Sequence, residues 1–421
     1  MSTLRDIDSA ERATPRRDGS SGARLLAVPL LLVGLAACAP LARYEASGEL
    51  AGQAVATRVD TRAAAYYLES YLQDRTDDSD LDSRIAAALA ASPSPHDRVQ
   101  LEVLTQALST DAATMYFVSK LYEEPDNRRL QDTFQSFVEE LKTSPRDEIV
   151  ADLERFRDYQ IVFVPGYAYR SNPANGADFR RQRELLAELG FDPILIETEE
   201  LGTVEVNAAI VTEALRELAR EHDKIVLVSA SKGGAELGLV LGALAGEPAV
   251  DHIQGWISVG GLLRGSPYAD RYARGIKRWL ARIMLKRRGQ PPDIIENLST
   301  LERRPAFEAV TLPSSVLMLH YVGAPLSGHV RDETRGRYEI LRRLGPNDGL
   351  TLLADELTDD GLVVTEVGLD HYFRAPDIDI RTVALTYAIF EELARRQGQR
   401  SAAREAAYEP PSTSSTVGQT Q

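Results

Sequence analysis

The chain has 421 residues, 43% of them hydrophobic and 26% charged, with 29 Gly and 21 Pro. That balance excludes a disordered polyelectrolyte, a collagen-like rod and a multi-span membrane protein, and the length fits two or three folded units. Lys and Arg number 48 against 63 Asp and Glu, a formal charge of −15, so the average surface repels phosphate backbones and no nucleic-acid partner is expected. A single cysteine allows neither an intrachain disulfide nor a cysteine-built zinc cage.

That cysteine, Cys38, follows the apolar run from Leu25 to Ala37, which is too short to span a bilayer and is preceded by Arg16, Arg17 and Arg24. The shape is that of a signal peptide over residues 1–37. Its end, Leu35-Ala36-Ala37-Cys38, resembles the lipobox of bacterial lipoproteins. The resemblance implies cleavage before Cys38, lipidation of its thiol and export. Ala39 rather than Asp at the next position implies an outer-membrane protein facing the periplasm, held to the membrane through its lipid anchor. Residues 38–62 read as a linker after that anchor.

From 63 to 155 the sequence is rich in Ala, Leu, Gln and Glu, with apolar residues at helical spacing such as Tyr67, Tyr71 and Leu72, then Leu101, Leu104 and Leu108. The segments Ser92-Pro93-Ser94-Pro95 and Glu124-Pro125 break it into helices of ordinary length. After Tyr159 the texture changes. Continuous apolar runs at 161–164, 194–196, 224–228, 255–259, 315–321 and 362–367 read as buried strands. Between them lie amphipathic stretches at 178–189, 204–221 and 233–245, with a closing helix near 381–396. Strand and helix alternating in this way predict an α/β domain over 156–397, built on a mostly parallel sheet covered on both faces. The composition beyond Gln397 predicts a disordered tail over 398–421.

The run from Lys224 to Val228 leads into Ser229-Ala230-Ser231-Lys232-Gly233-Gly234 and then a helix. This resembles the nucleophile elbow of the α/β-hydrolases, with Ser231 as nucleophile and small residues, Ser229 and Gly233, two positions to either side. Ser229 stands where that family usually has Gly. The resemblance extends to Val164-Pro165-Gly166-Tyr167, similar to the loop that supplies an oxyanion donor. It extends also to Gly345-Pro346-Asn347-Asp348-Gly349, similar to the acid-bearing loop of many lipases, and to Gly368-Leu369-Asp370-His371, similar to the base-bearing loop. It implies a triad of Ser231, Asp348 and His371, in the chain order of that family, with the main-chain N–H groups of Tyr167 and Lys232 facing the oxyanion.

The chemistry asks for these residue types. A serine hydroxyl needs a neutral imidazole to take its proton, and the imidazole needs a carboxylate to fix its tautomer. Of six histidines, His96 falls among the N-terminal helices, while His222 and His252 precede strands. His320 sits within a strand pattern and His329 in a loop, which leaves His371, just past the last strand. Asp348 is preferred as the acid to Asp370, the immediate neighbour of the base, and to Asp355.

An insertion at 268–310 is the candidate cap or lid. Within it, residues 272–288 place Ile276, Trp279, Leu280, Ile283 and Met284 on one helical face with seven Lys and Arg around the rest. Such a helix either lies on anionic lipid or packs its Trp face on the domain. The function expected is hydrolysis of a carboxylic ester, small-molecule or lipid, through an acyl-enzyme, with no metal and no organic cofactor. The same triad also serves acyl transfer and thioester or amide cleavage. A non-catalytic envelope scaffold binding a partner protein is the rival of another class.

Overall fold

The computed structural model describes residues 41–407, Pro93 excepted. The expected signal peptide, Cys38 and the residues beyond 407 lie outside the described residues. Six parallel strands form one sheet: β3 (Gln160–Val164), β4 (Ile194–Leu195), β5 (Ile225–Ala230), β6 (Ile253–Val259), β7 (Leu317–Ala324) and β8 (Leu362–Val367). Their spatial order is β4-β3-β5-β6-β7-β8. The chain therefore steps outward from β3 to β4 and returns past β3 to β5. The strand order reverses between β3 and β5, and crevices at the carboxyl ends of strands open at such a point.

Helices cover both faces. Val162, Leu227 and Trp256 pack with Val211 and Leu215 of one helix (Val204–Leu218) and with Leu237 and Leu241 of the helix that follows β5 (Lys232–Leu244). Phe163, Val226 and Ile257 of the opposite face pack with Leu185 and Leu186 (helix Arg180–Glu188) and with Ile389 and Phe390 of the closing helix (Ile378–Ala407). That last helix corrects the expected boundary of the tail. It runs ten residues past Gln397, because Ala402, Ala403 and Ala406 with Arg400, Arg404 and Glu405 are good helix formers and no proline intervenes before Pro410.

The N-terminal unit is helical as its periodicity indicates, with helices at Arg62–Glu69, Ser79–Ala90, Arg98–Ala107, Thr110–Glu123, Pro125–Thr143 and Arg146–Leu153. Thr61, Asp78, Asp97 and Ser109 cap the first four through their side chains. A second correction falls just before it. The stretch read as linker holds an antiparallel hairpin, β1 (Tyr44–Leu50) and β2 (Gln53–Val59), joined by a two-residue turn with Ala51 at φ 52° and Gly52 at φ 72°.

This unit caps the sheet. Strand β8 is an edge, and an open edge exposes unpaired N–H groups. The N–H of Val363 donates to Asn127 Oδ1 (2.8 Å), that of Thr365 to Gln131 Oε1 (2.9 Å) and that of Val367 to Gln53 Oε1 (3.0 Å). Three side-chain amides at alternate positions thus stand where a seventh strand would pair.

Candidate active site

Strand β5 ends at Ala230 and the next helix starts at Lys232, so Ser231 alone makes the turn, at φ 52° and ψ −116°. This left-handed backbone is costly for a residue with a Cβ and persists only when its surroundings hold it. They do so through tight packing on both sides. A Cβ on Gly233 would stand 2.9 Å from the carbonyl oxygens of Val164 and Pro165, and one on Gly234 2.8 Å from Gly261 Cα. Ser229 fills the position usually held by Gly because its Oγ accepts the indole N–H of the buried Trp256 (2.9 Å).

Ser231 Oγ lies 2.9 Å from His371 Nε2, and His371 Nδ1 is hydrogen-bonded to Asp348 Oδ2. Asp348 is fully buried, and its Oδ1 accepts the N–H groups of Leu350 and Thr351, each at 2.7 Å. Its carbonyl accepts His371 N–H (2.9 Å), so the two loops are tied together by main chain as well as by the side-chain pair. Asp370 turns away, accepting Thr334 Oγ1 (2.9 Å) and Tyr372 N–H (3.1 Å). Asp355 is held by Arg304 at 2.8 Å. His320 is buried against Thr358, its pKa lowered to about 3 by desolvation, so it stays neutral. His329 accepts Leu326 N–H within its own turn and does not line the cavities beside Ser231.

The elbow meets the loop after β3 closely. A Cβ on Gly166 would come 3.2 Å from Ala230 O, so Gly lets that loop approach. Gly166 N–H donates to Ala177 O and Ala168 N–H to Glu200 O, while among the described residues no acceptor engages the Tyr167 N–H between them. Lys232 opens its helix, where main-chain N–H groups have no intrahelical acceptor. Two donors therefore flank Ser231 with capacity to spare.

Three features were not foreseen from sequence. The Lys232 side chain is buried with Glu236, Nζ 2.8 Å from Oε1, and also donates to Gly202 O (2.9 Å). Glu356 is buried beside Asp348 with neither carboxylate oxygen hydrogen-bonded. Burial and the neighbouring Asp348 charge push its pKa well above the ordinary carboxylate value, favouring the protonated form. Two cavities meet at Ser231. One, of about 800 Å³, is lined by His371, Tyr372 and the 173–182 segment. The other is walled by Leu262, Leu285, Ile294, Ile295, Leu298 and Leu350.

Part of that apolar wall is the insertion. Its basic helix spans Gly275–Arg287 and buries Ala281 and Leu285, leaving Ile276, Trp279 and Leu280 at 74%, 61% and 51% exposure. Trp279 itself does not pack on the domain, whereas Met284 of the same face does, against the cluster that holds Ala281 and Leu285. Arg278 and Arg282 are both paired with Glu296.

Among the described residues no group of three or more His, Asp or Glu is arranged to hold a metal ion. No protein-family model matches the chain, and no curated protein matches its sequence. Solved structures do. The metagenomic carboxyl esterase MGS0156 aligns over 57% of this chain and 76% of its own at 22% identity, with a TM-score of 0.46. The mature Bacillus licheniformis lipase BlEst2 aligns over 56% of this chain and 91% of its own at 24% identity, with a TM-score of 0.43. Lipase 1 from Pelosinus fermentans aligns over 55% and 99% at 11% identity, with a TM-score of 0.38. The chain has the α/β-hydrolase fold, with its parallel sheet and its serine at the strand-to-helix turn after β5.

Proposed function

We propose that the protein is a serine hydrolase that cleaves carboxylic esters through an acyl-enzyme. The observation that carries this reading is the continuous hydrogen-bonded chain from Ser231 Oγ through His371 to Asp348, opening on a cavity. His371 Nε2 takes the Ser231 proton as Oγ attacks the ester carbonyl, and Asp348 holds the Nδ1–H tautomer and stabilises the imidazolium. The oxyanion is received by the N–H groups of Tyr167 and Lys232. Collapse breaks the bond to the alkoxy oxygen, which leaves with the proton from His371. Water, deprotonated by His371, then releases the acid and restores Ser231. Ester turnover that falls by roughly 10⁴-fold in Ser231→Ala and His371→Ala supports the reading; wild-type turnover in either variant overturns it.

The same proposal places the enzyme at a membrane. Cys38 carries the lipid anchor, and the exposed Ile276, Trp279 and Leu280 face lipid beside the apolar cavity that their helix walls. The outer membrane, facing the periplasm, is the proposed location. Intact-mass measurement of a mature chain beginning at a diacylated Cys38, lost in Cys38→Ser, is the corresponding test.

A further inference from the structure

The two cavities that meet at Ser231 are chemically unlike, and the position of His371 says which end of an ester each receives. The base that takes the serine proton must hand it to the departing alkoxy oxygen, so the leaving alcohol lies on the side of the imidazole. His371 lines the larger cavity and is absent from the walls of the smaller one. The acyl group therefore enters the aliphatic cavity between Leu285, Ile294, Ile295 and Leu350, and the alcohol enters the larger one.

The larger cavity carries charge. Arg180, Arg181, Arg331 and Arg374 line it, against a single carboxylate, Asp178. In a chain of net charge −15 this is a local excess of cationic side chains on the cavity wall. The arginines differ in how far they are neutralised. Arg181 is bound to Asp379 at 2.7 Å and to Pro376 O. Arg374 lies over the Tyr372 ring with Glu333 at 3.6 Å, and Arg180 has Glu184 at 3.6 Å. Arg331 donates to the Arg374 carbonyl (2.7 Å), and among the described residues no carboxylate stands within ion-pair distance of it. Its positive charge is thus fixed beside the cavity and left unpaired. A guanidinium presents a planar fork of donors that matches a phosphate or carboxylate.

Resting on the ester-hydrolase reading above, we propose that the substrate is an ester of an apolar acid with an alcohol that bears an anionic group, received by Arg331 and Arg180 in the larger cavity. The shared chemistry is an oxyanion, phosphate or carboxylate, on the alcohol.

The test uses the full-length protein and four butyryl esters with the same acyl group: those of glycerol, glycerol 3-phosphate, 3-hydroxypropionate and choline. The expected kcat/KM is highest for an anionic alcohol and lowest for choline, with the spread shrinking as salt is raised from 20 to 300 mM. Phosphate above carboxylate, or the reverse, identifies which oxyanion the site prefers. Arg331→Gln and Arg180→Gln are each expected to lower the anionic-to-neutral ratio of kcat/KM about fivefold, as removal of one unit charge at contact distance in water implies. Equal kcat/KM across the four esters, or an unchanged ratio in both variants, overturns the inference. Labelling of Ser231 by a fluorophosphonate separates the two levels: labelled enzyme without charge preference refutes the arginine site alone, whereas unlabelled enzyme refutes the hydrolase reading beneath it.

Discussion

Replacing Lys232 by Met probes the buried network under the elbow. Lys232 and Glu236 lie one helical turn apart, 1% and 0% exposed. Glu236 Oε1 also accepts from Asn207 Nδ2 (2.7 Å), and Oε2 has no donor. Burial pushes the Glu236 carboxyl above its ordinary value while the Lys232 charge pulls it back. Without the ammonium, burial is opposed by Asn207 alone and the carboxyl climbs further. An unfolded Glu ionises near about 4.3, so with a higher value in the folded state folding takes up a proton. Stability is then complete below the unfolded value and falls as pH rises toward the folded one, by about 1.4 kcal/mol per pH unit. Near pH 5 the variant is expected to lose about 1–2 kcal/mol relative to wild type, chiefly the hydrogen bond to Gly202 O. At pH 8 the loss grows to about 3–5 kcal/mol, the range for a buried charge stripped of its partner. Adding Glu236→Gln removes the titrating group and flattens that dependence. Urea unfolding followed by circular dichroism at the two pH values reads both effects. A loss equal at pH 5 and 8, or a double variant as pH-sensitive as the single one, refutes the reasoning.

Other expectations follow from neighbouring residues. Asp348→Asn should cut kcat about 10⁴-fold, whereas Asp370→Asn, whose carboxylate holds Thr334 instead, should cost less than about tenfold; initial rates ranked the other way would move the acid role to Asp370. Glu356→Gln replaces a carboxyl that burial and the Asp348 charge hold above its ordinary value, so it should raise the denaturant midpoint at pH 8 and lose that advantage toward pH 4.5, where unfolded Glu is protonated as well; a pH-independent difference would contradict this. Serine at Ile276, Trp279 and Leu280 should weaken binding to anionic vesicles more than tenfold, each side chain contributing about 1.5–3 kcal/mol when buried, while hydrolysis of a short soluble ester persists. Equal loss of both would assign the helix a structural role.

Most strands of the sheet were legible because they are buried on both faces and so read as apolar runs, as in Ile225 to Val228, although the short β4 is only half-buried. The elbow was legible because its glycines answer to contacts that any Cβ would violate. The N-terminal hairpin was hidden for the opposite reason. Its turn places Ala51, not Asn, Asp or Gly, at positive φ, and its strands carry small and charged residues in place of a strong apolar alternation. The edge cap by Asn127, Gln131 and Gln53 joins residues more than 230 positions from their partners, which no local pattern encodes. Lys232 and Glu236 stand at i, i+4 spacing, and nothing local marks the pair as buried, since its further partners, Gly202 O and Asn207, lie about 30 residues upstream. Likewise the helix at Gly275–Arg287 has an apolar stripe that fits a lipid-facing or a packed face equally, and only the fold shows that the domain takes up Ala281 and Leu285 and leaves Trp279 outside.

The central claim is that Ser231 is a nucleophile activated by His371. Incubation of the full-length protein with a fluorophosphonate, followed by peptide mass mapping, tests it most directly. A stoichiometric adduct on Ser231, slowed by at least about a thousandfold in His371→Ala, is the expected result. An unmodified Ser231 in folded wild-type protein, or labelling that proceeds equally fast without His371, would contradict the account.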